Sequence, residues 1–262
     1  MHIAIDYNAA VRQGGGIGRF VREITQVAAA AAPQHRFSLW YAARGLEPAN
    51  PQLLALRELA ARLPNITPRP IPLTERLLTI IWQRARLPLP VELIVGQVDV
   101  VHGTDFVLPP TRARTLLSIH DFAYSIHPET AQPELRRYLS GAVPRNIRRA
   151  SHIHVNSIAT QQDLERLLHV ARDRSTIIYS GSGTDYWPRS AAQIAELKTR
   201  LGLPERYLLN VGTVQPRKNV ERLIAAYAEL GALAAAVPLV IAGKRGWLAE
   251  PIYAAVQAHS LT

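Results

Sequence analysis

Short apolar runs alternate with longer amphipathic segments along the whole chain, and this alternation constrains the fold more than any other feature of the sequence. The runs have the length of β-strands and few charged residues, as strands buried on both faces do. Strands are predicted near residues 2–6, 36–41, 65–71, 98–102, 115–119, 152–156, 175–179, 207–211 and 238–242, with helices between them. Strands that alternate with helices form parallel sheets covered by helices on both faces. The sequence therefore predicts an α/β fold.

The segment at residues 211–227, VGTVQPRKNVERLIAAY, joins a predicted strand to a predicted helix through a basic turn. Gly212 ends the strand, Pro216 restricts the turn, and the helix is expected to start at the turn that carries Arg217 and Lys218. Backbone N–H groups and the helix dipole also attract negative charge at that end of a helix. The segment therefore predicts a phosphate site. The alternative is that both cations are solvated surface charges.

A glycine-rich loop follows the first predicted strand and precedes a helix expected at residues 17–32. Gly15 and Gly16 lie in this loop, and glycine permits both the close approach of a ligand and backbone angles with positive φ. The loop lacks the last glycine of the dinucleotide fingerprint, which disfavours an NAD-dependent enzyme, and the chain contains no P-loop motif. We interpret it as a ligand-facing loop. The alternative is a simple connection from strand to helix.

Polar residues follow two neighbouring predicted strands at their carboxyl ends. His102 and Asp105 come after one strand, and His120 and Asp121 come after the next. Open α/β sheets bind ligands in the crevice outside those strand ends. His120 and Asp121 are therefore candidate site residues, and the alternative is that the histidine has a structural role only.

The chain carries a formal net charge of +10, which is compatible with nucleic acid, an anionic membrane surface or an acidic small ligand. Nucleic acid is disfavoured because the sequence has no nucleic-acid-binding motif. Residues 75–87, ERLLTIIWQRARL, combine apolar and arginine side chains, as membrane-surface helices and ordinary packed helices both do. Packing against the sheet is the favoured interpretation, and peripheral membrane contact is the alternative.

Three absences in the sequence narrow the class of protein further. The chain has no cysteine, which excludes disulfides, thiol catalysis and thiolate metal sites. The sequence has no apolar run of the roughly 18 residues that a membrane span requires, and its first residues are predicted to form a strand rather than a signal peptide. We therefore expect a cytoplasmic protein, at the inner face of the membrane if it contacts lipid.

The strings GTVQPRKN, AGKRGW, SIHDFAY and HIHVNS, together with the glycine-rich loop, resemble those of the retaining glycosyltransferases with the GT-B fold, a family called glycosyl transferases group 1. The likeness is to members of the family 4 type, and GTVQPRKN and AGKRGW are nearest to the mannosyltransferase-like ones. The resemblance implies a doubly wound, Rossmann-like N-terminal domain on the acceptor side at residues 1–180. It also implies the first half of a second Rossmann-like domain, which binds nucleotide sugar, at residues 181–262.

The same resemblance implies roles for particular residues. It places His120 and Asp121 at the catalytic centre, where the histidine contacts the transferred sugar. It assigns donor binding to Gly15, Gly16, Arg217, Lys218 and Lys244. It implies neither a metal nor a cofactor.

The reaction implied by the resemblance is transfer of a hexose to a saccharide or a lipid-linked saccharide, with retention of configuration. The donor would be a nucleotide diphosphate sugar, with GDP-mannose as the favoured example. The second half of the C-terminal domain, where the family carries a Glu-x7-Glu signature, has no counterpart among the predicted elements. A C-terminally truncated, inactive or weakly active fragment is therefore expected. The alternative is a non-catalytic remnant of a GT-B protein that binds a glycan or a partner.

Overall fold

The computed structural model describes residues 1–183, 186–259 and 261. The chain divides into two compact units. The first unit comprises Met1–Phe122 and Tyr138–Gly181, and the second comprises Ala123–Arg137 and Ser182–Thr262. The second unit thus includes an early segment of the chain, so the assignment of domains to 1–180 and 181–262 stays a prediction.

The first unit contains a seven-stranded parallel sheet with the strand order β3-β2-β1-β4-β5-β6-β7. Its strands are β1 His2–Asp6, β2 Arg36–Ala42, β3 Ile66–Ile71, β4 Val100–Gly103, β5 Arg114–Ile119, β6 His152–Val155 and β7 Ser175–Ile177. The order reverses between β1 and β4, which is the doubly wound arrangement that the family resemblance implied. Ligands bind such sheets outside the carboxyl ends of the strands at this reversal.

The helices of the described residues differ widely in length. They are α1 Asn8–Arg12, α2 Gly16–Ala31, α3 Pro51–Arg62, α4 Glu75–Thr79, α5 Glu92–Val95, α6 Ala123–Ile126, α7 Pro133–Arg149, α8 Ile158–Leu168, α9 Ala191–Leu201, α10 Val220–Ala228, α11 Ala232–Ala236 and α12 Glu250–Ala258. The Ser157 hydroxyl caps α8 by accepting the Thr160 backbone N–H at 3.1 Å, which confirms the predicted start of that helix.

Apolar side chains fill both faces of the sheet in the first unit. On β2, Phe37 and Leu39 belong to one core cluster and Trp40 belongs to the other. Neighbouring residues of a strand point to opposite faces, so this division places one cluster on each side of the sheet. Burial on both faces explains why the strand sequences read as continuous apolar runs.

Residues 75–87 pack against the sheet, as the favoured interpretation expected. Leu78 and Trp82 are buried in the same core cluster as Trp40. The prediction of one continuous α-helix is wrong, because α4 ends at Thr79 and a π-helical turn follows at Ile80–Arg84. Among the described residues, no helix has the length and apolar character needed to cross a membrane.

A short helix, α1, lies where the sequence suggested an extended glycine-rich loop. It buries Ala9, Ala10 and Val11 in the core. The Asn8 backbone N–H donates to Asp6 Oδ1 at 3.0 Å, which ties the first residue of the helix to the end of β1. The sequence pattern does not predict α1, because five residues are too short to show a helical period.

The second unit contains a parallel pair of strands, β8 Leu208–Val211 and β9 Leu239–Ala242. Its small apolar core includes Val220 and Ile224 of α10 and Ile252 of α12. The strand β8 is largely exposed, and Val211 has an exposed fraction of 73%. The packed helices therefore leave much of this strand pair open in the described part of the chain.

Candidate functional site

Two loops run side by side at the carboxyl edge of the strand pair in the second unit. The Val214 backbone N–H donates to the Lys244 carbonyl at 2.9 Å, and the Gly246 N–H donates to the Val214 carbonyl at 2.9 Å. This pairing extends the contact between β8 and β9 beyond the strands. It brings the loop of Lys244 next to the loop that leads to Arg217 and Lys218, so three of the predicted donor-binding residues share one edge.

The two adjacent cations lie before the helix rather than in its first turn, which corrects the sequence prediction. Arg217 and Lys218 belong to a 3₁₀ turn at Pro216–Lys218, and α10 begins at Val220. Asn219 lies between this turn and α10, and its φ of 53° is in the left-handed region. Proline favours the start of such a turn, and asparagine tolerates the left-handed conformation that ends it.

The side chain of Lys218 lies across Gly212. Its Cε is 3.8 Å, and its Cδ 3.9 Å, from the position that a Cβ on Gly212 would occupy. The aliphatic stem therefore rests on the backbone at the end of β8, while the residue as a whole is exposed. A lysine with a packed stem and an accessible ammonium can place its positive charge beside an anion.

Gly243 is required where the two loops meet, because an added Cβ would lie 1.8 Å from the Gly212 carbonyl oxygen. We expect Gly243→Ala to separate the loops and to lower the unfolding free energy by about 1–3 kcal/mol, the usual cost of overpacking. Thermal unfolding followed by circular dichroism measures the effect. Gly141→Ala is the matched control, since nothing lies within 4 Å of a Cβ there. Equal unfolding temperatures for the two variants would contradict this close contact.

In the first unit, His120 occupies a buried position at the end of β5. Its Nε2 lies 2.8 Å from the Thr104 carbonyl oxygen, and its ring contacts Phe20 and Phe106 edge-on at 5.3 and 5.8 Å between centroids. A carbonyl only accepts, so we assign the hydrogen to Nε2, which leaves Nδ1 as an acceptor. Burial lowers the pKa of His120, and the charge of Asp121 acts in the opposite direction. The lowered pKa favours the neutral ring.

A second histidine at a strand end, His102, has a structural environment. Its Nε2 is 2.8 Å from Ser118 Oγ, which is 3.0 Å from His154 Nδ1. The His154 Nε2 lies 3.2 Å from the Ile178 carbonyl oxygen, so it carries the hydrogen and the Ser118 hydroxyl donates to Nδ1. These buried residues hold β4, β5, β6 and the residue after β7 together. The ring of His102 is therefore hydrogen-bonded to a side chain within the sheet, whereas the ring of His120 is hydrogen-bonded to the Thr104 carbonyl after the end of β4.

The glycine-rich loop leads into α2, whose Phe20 contacts the ring of His120. The loop is thereby close to His120. Gly15 precedes the first residue of α2 and Gly16 begins it, and a Cβ on either would meet nothing within 4 Å. Packing therefore does not require these two glycines, and the space around them is open. Gly18 is the sterically required glycine, because a Cβ there would lie 2.2 Å from the Gln13 carbonyl oxygen.

Asp6 and Asp105 are further candidate site residues, beyond those predicted from the sequence. Both line a pocket in the first unit, beside Trp40 and Trp82. Burial raises the pKa of Asp6 to about 7 and that of Asp105 to about 6. Asp6 ends β1 at the reversal of strand order, so the rule that selected His120 could have selected it as well. Within the described residues, no group of three or more His, Cys, Asp or Glu side chains is arranged to hold a metal ion.

Comparisons with known proteins agree with this fold. Over 99% of the chain, it is similar to crystal structures of Anabaena Alr3699/HepE in complex with UDP-glucose and in complex with UDP and glucose. The TM-score is 0.67 for both, with 16% and 15% sequence identity, and the chain covers 66% of that protein in each case. At this level of identity the similarity shows the fold alone, which is the Rossmann-like α/β fold of GT-B glycosyltransferases.

Sequence similarity extends to two Escherichia coli proteins. The chain is 28% identical over 160 residues to O-antigen chain mannosyltransferase B, which covers 60% of this chain and 42% of that protein. It is 30% identical over 136 residues to the serotype-specific mannosyltransferase WbdA, which covers 50% of this chain and 17% of that protein. The chain thus spans less than half the length of these curated relatives.

The family model described as Glycosyltransferase Family 4 matches residues 14–186. That range begins in the glycine-rich loop and contains the strands of the first unit from β2 to β7, together with His120 and Asp121. It extends over more than half of the chain. The chain therefore belongs to glycosyltransferase family 4.

Proposed function

We propose that this protein transfers a hexose from a nucleotide diphosphate sugar to a saccharide or lipid-linked acceptor, with retention of configuration at the transferred sugar. The observation that carries the proposal is the basic turn of the second unit. Lys218 packs its stem on Gly212 and leaves its ammonium accessible, beside the loop that carries Lys244. Such an arrangement suits a diphosphate, which needs positive charge from more than one direction.

In this proposal, Lys218 and Arg217 neutralise the negative charge that develops on the departing diphosphate. Stabilisation of developing charge is commonly the largest single contribution to catalysis. Lys244 contacts the nucleotide end of the donor, and the open loop at Gly15 and Gly16 approaches the donor closely. Each of these residues is exposed on its own unit.

His120 contacts the transferred sugar, and Asp121 assists it electrostatically. The neutral ring with hydrogen on Nε2 presents Nδ1 as an acceptor for a sugar hydroxyl. The edge-on contacts of Phe20 and Phe106 with the ring, together with the Nε2 hydrogen bond, restrict its rotation. His120 therefore orients the sugar and does not supply a charge.

We propose mannose as the transferred sugar and GDP as the nucleotide, because two similar proteins are mannosyltransferases by name. Complexes of Anabaena Alr3699/HepE contain UDP and UDP-glucose, so UDP-glucose is the first comparison donor. A cytoplasmic location and contact with the inner face of the membrane belong to the same proposal. They are supported by the net charge of +10, which favours an anionic lipid surface.

A donor panel tests the proposal. The protein is incubated with GDP-mannose, UDP-glucose and other nucleotide sugars, with and without a mannose-containing oligosaccharide, and release of the nucleoside diphosphate is measured. We expect weak release that is fastest with GDP-mannose and increases with acceptor, and proton NMR of the product should show the anomeric configuration of the donor. Inverted product would contradict retention. Absence of release with every donor would contradict transfer by this chain and favour the inactive or non-catalytic forms expected from the sequence.

A further inference from the structure

A pocket opens at the carboxyl end of β1 within the first unit. It has a volume of about 80 Å³, and its walls come from β2, α4, the π-helical turn and the loop after β4. A single water needs about 10–15 Å³ measured in this way, so the pocket admits several water-sized groups. That space fits the edge of a sugar ring with two or three hydroxyl groups.

Three carboxyl groups line this pocket, although the chain as a whole is strongly basic. They belong to Asp6, Glu75 and Asp105. The negative charges of Asp105 and Glu75 both contribute to the raised pKa of Asp6, so the three groups act on one another. Glu75 forms an ion pair with Arg12, with 3.5 Å between Nε and Oε2. Arg145 donates to the pocket-lining Gln83 rather than to a carboxyl group. Above the raised pKa values of Asp6 and Asp105, all three groups are ionised and the pocket repels anions.

An indole N–H adds a second, independent feature. Trp40 lines the pocket and is 2% exposed, and its Nε1 is buried without a hydrogen-bond partner among the described residues. A buried donor without a partner costs about 1–3 kcal/mol, which an oxygen that reached it would recover. Trp82 stands edge-on to Trp40 at 5.3 Å between ring centroids, so the same wall is apolar.

The chemistry of these groups selects one class of ligand. Carboxylates accept hydrogen bonds, whereas the Trp40 N–H must find an acceptor. A hydroxyl group supplies both functions, while an ammonium ion has no acceptor and a phosphate or carboxylate has no donor when ionised. The aromatic wall suits the C–H face of a sugar ring, as in ligand pockets that combine apolar surface with a few polar groups.

We infer that the pocket formed by Asp6, Glu75, Asp105, Trp40 and Trp82 binds an uncharged sugar residue of the acceptor and rejects acceptors whose bound sugar carries phosphate or carboxylate. That this sugar belongs to the acceptor rests on the proposed function, whereas the preference for a neutral sugar rests on the pocket alone. Substrate selection would thus arise from repulsion of anions as well as from hydrogen bonding.

Saturation-transfer NMR with three probes tests the inference: methyl α-mannoside, mannose 6-phosphate and glucosamine. We expect saturable binding of methyl α-mannoside, with affinity at least tenfold higher than that of mannose 6-phosphate. Glu75→Gln should narrow this ratio at least threefold, because it removes a repelling charge from a half-exposed position. The control is Glu58→Gln on the exposed face of α3, which should leave the ratio unchanged.

Trp40→Phe is the second variant, because it removes the indole N–H and retains an aromatic wall. We expect at least threefold weaker binding of methyl α-mannoside, with near-native circular dichroism. Any one of three results would overturn the inference. They are equal binding of the neutral and phosphorylated sugars, no saturable binding of methyl α-mannoside, and binding of glucosamine alone. Nucleoside diphosphate binding is measured in the same samples. Its absence alongside normal sugar binding would contradict the proposed transfer and leave the pocket assignment intact.

Discussion

Lys218→Ala is expected to lower the rate of sugar transfer by about 10²–10³-fold, the loss typical when a group that stabilises transition-state charge is removed. The side chain is exposed, and the variant keeps the backbone of the 3₁₀ turn, so the unfolding free energy should change by no more than about 0.5 kcal/mol. Release of nucleoside diphosphate from GDP-mannose in the presence of acceptor measures the rate. Thermal unfolding measures the stability.

Arg222→Ala is the matched control for this variant. Arg222 is an exposed cation on α10, four residues further along the chain and outside the basic turn. Removal of one positive charge from either position changes the net charge equally. We expect the control to retain transfer within about twofold, since surface charges outside a site contribute little. Equal rates for the two variants would show that the turn does not bind the departing group.

His120→Gln is expected to lower the rate by about 10²-fold while the affinity for nucleoside diphosphate stays within twofold. The Gln side-chain amide can donate to the Thr104 carbonyl oxygen, as Nε2 of the histidine does, but it places no acceptor where Nδ1 stood. Without this acceptor the sugar is misoriented, which lowers the rate of transfer more than the affinity of binding. Rate and nucleotide affinity are measured separately, by product formation and by calorimetry.

His102→Gln separates the catalytic interpretation of His120 from a structural one. His102 is also buried at a strand end, but its Nε2 is hydrogen-bonded to the Ser118 hydroxyl inside the sheet. We expect this variant to lose stability and to retain its rate per folded molecule. If His120→Gln behaved in the same way, with a lower unfolding temperature and a native rate, the imidazole would have a structural role only.

The sheet could be predicted from the sequence because its inner strands are largely buried on both faces. Continuous apolar runs such as those of β1 and β5 mark such strands, and their order along the chain then implies parallel pairing. The short helix α1, the π-helical turn after α4 and the 3₁₀ turn at Arg217 were not predicted. These elements are short, and two of them involve local features such as the hydrogen bond from the Asn8 N–H to Asp6 and the left-handed backbone of Asn219. Periodicity does not detect contacts of that kind.

The candidate site was only partly accessible to sequence reasoning. His102 and His120 gave the same signal, a histidine at the end of a buried strand, and only the partners of their ring nitrogens distinguish them. The pocket at Asp6 was missed because its walls come from positions far apart in the chain, with Trp40 on β2 and Asp105 after β4. Such convergence depends on the order of strands in the sheet. The order was not available from the sequence pattern.

A crystal structure of the protein with bound GDP tests the central claim most directly. We predict that oxygens of the diphosphate lie within about 3 Å of Lys218 Nζ, the distance of a charge-assisted hydrogen bond. Arg217 or Lys244 should contact the same ligand. A diphosphate bound elsewhere, with the Lys218 ammonium remaining in solvent, would contradict the account.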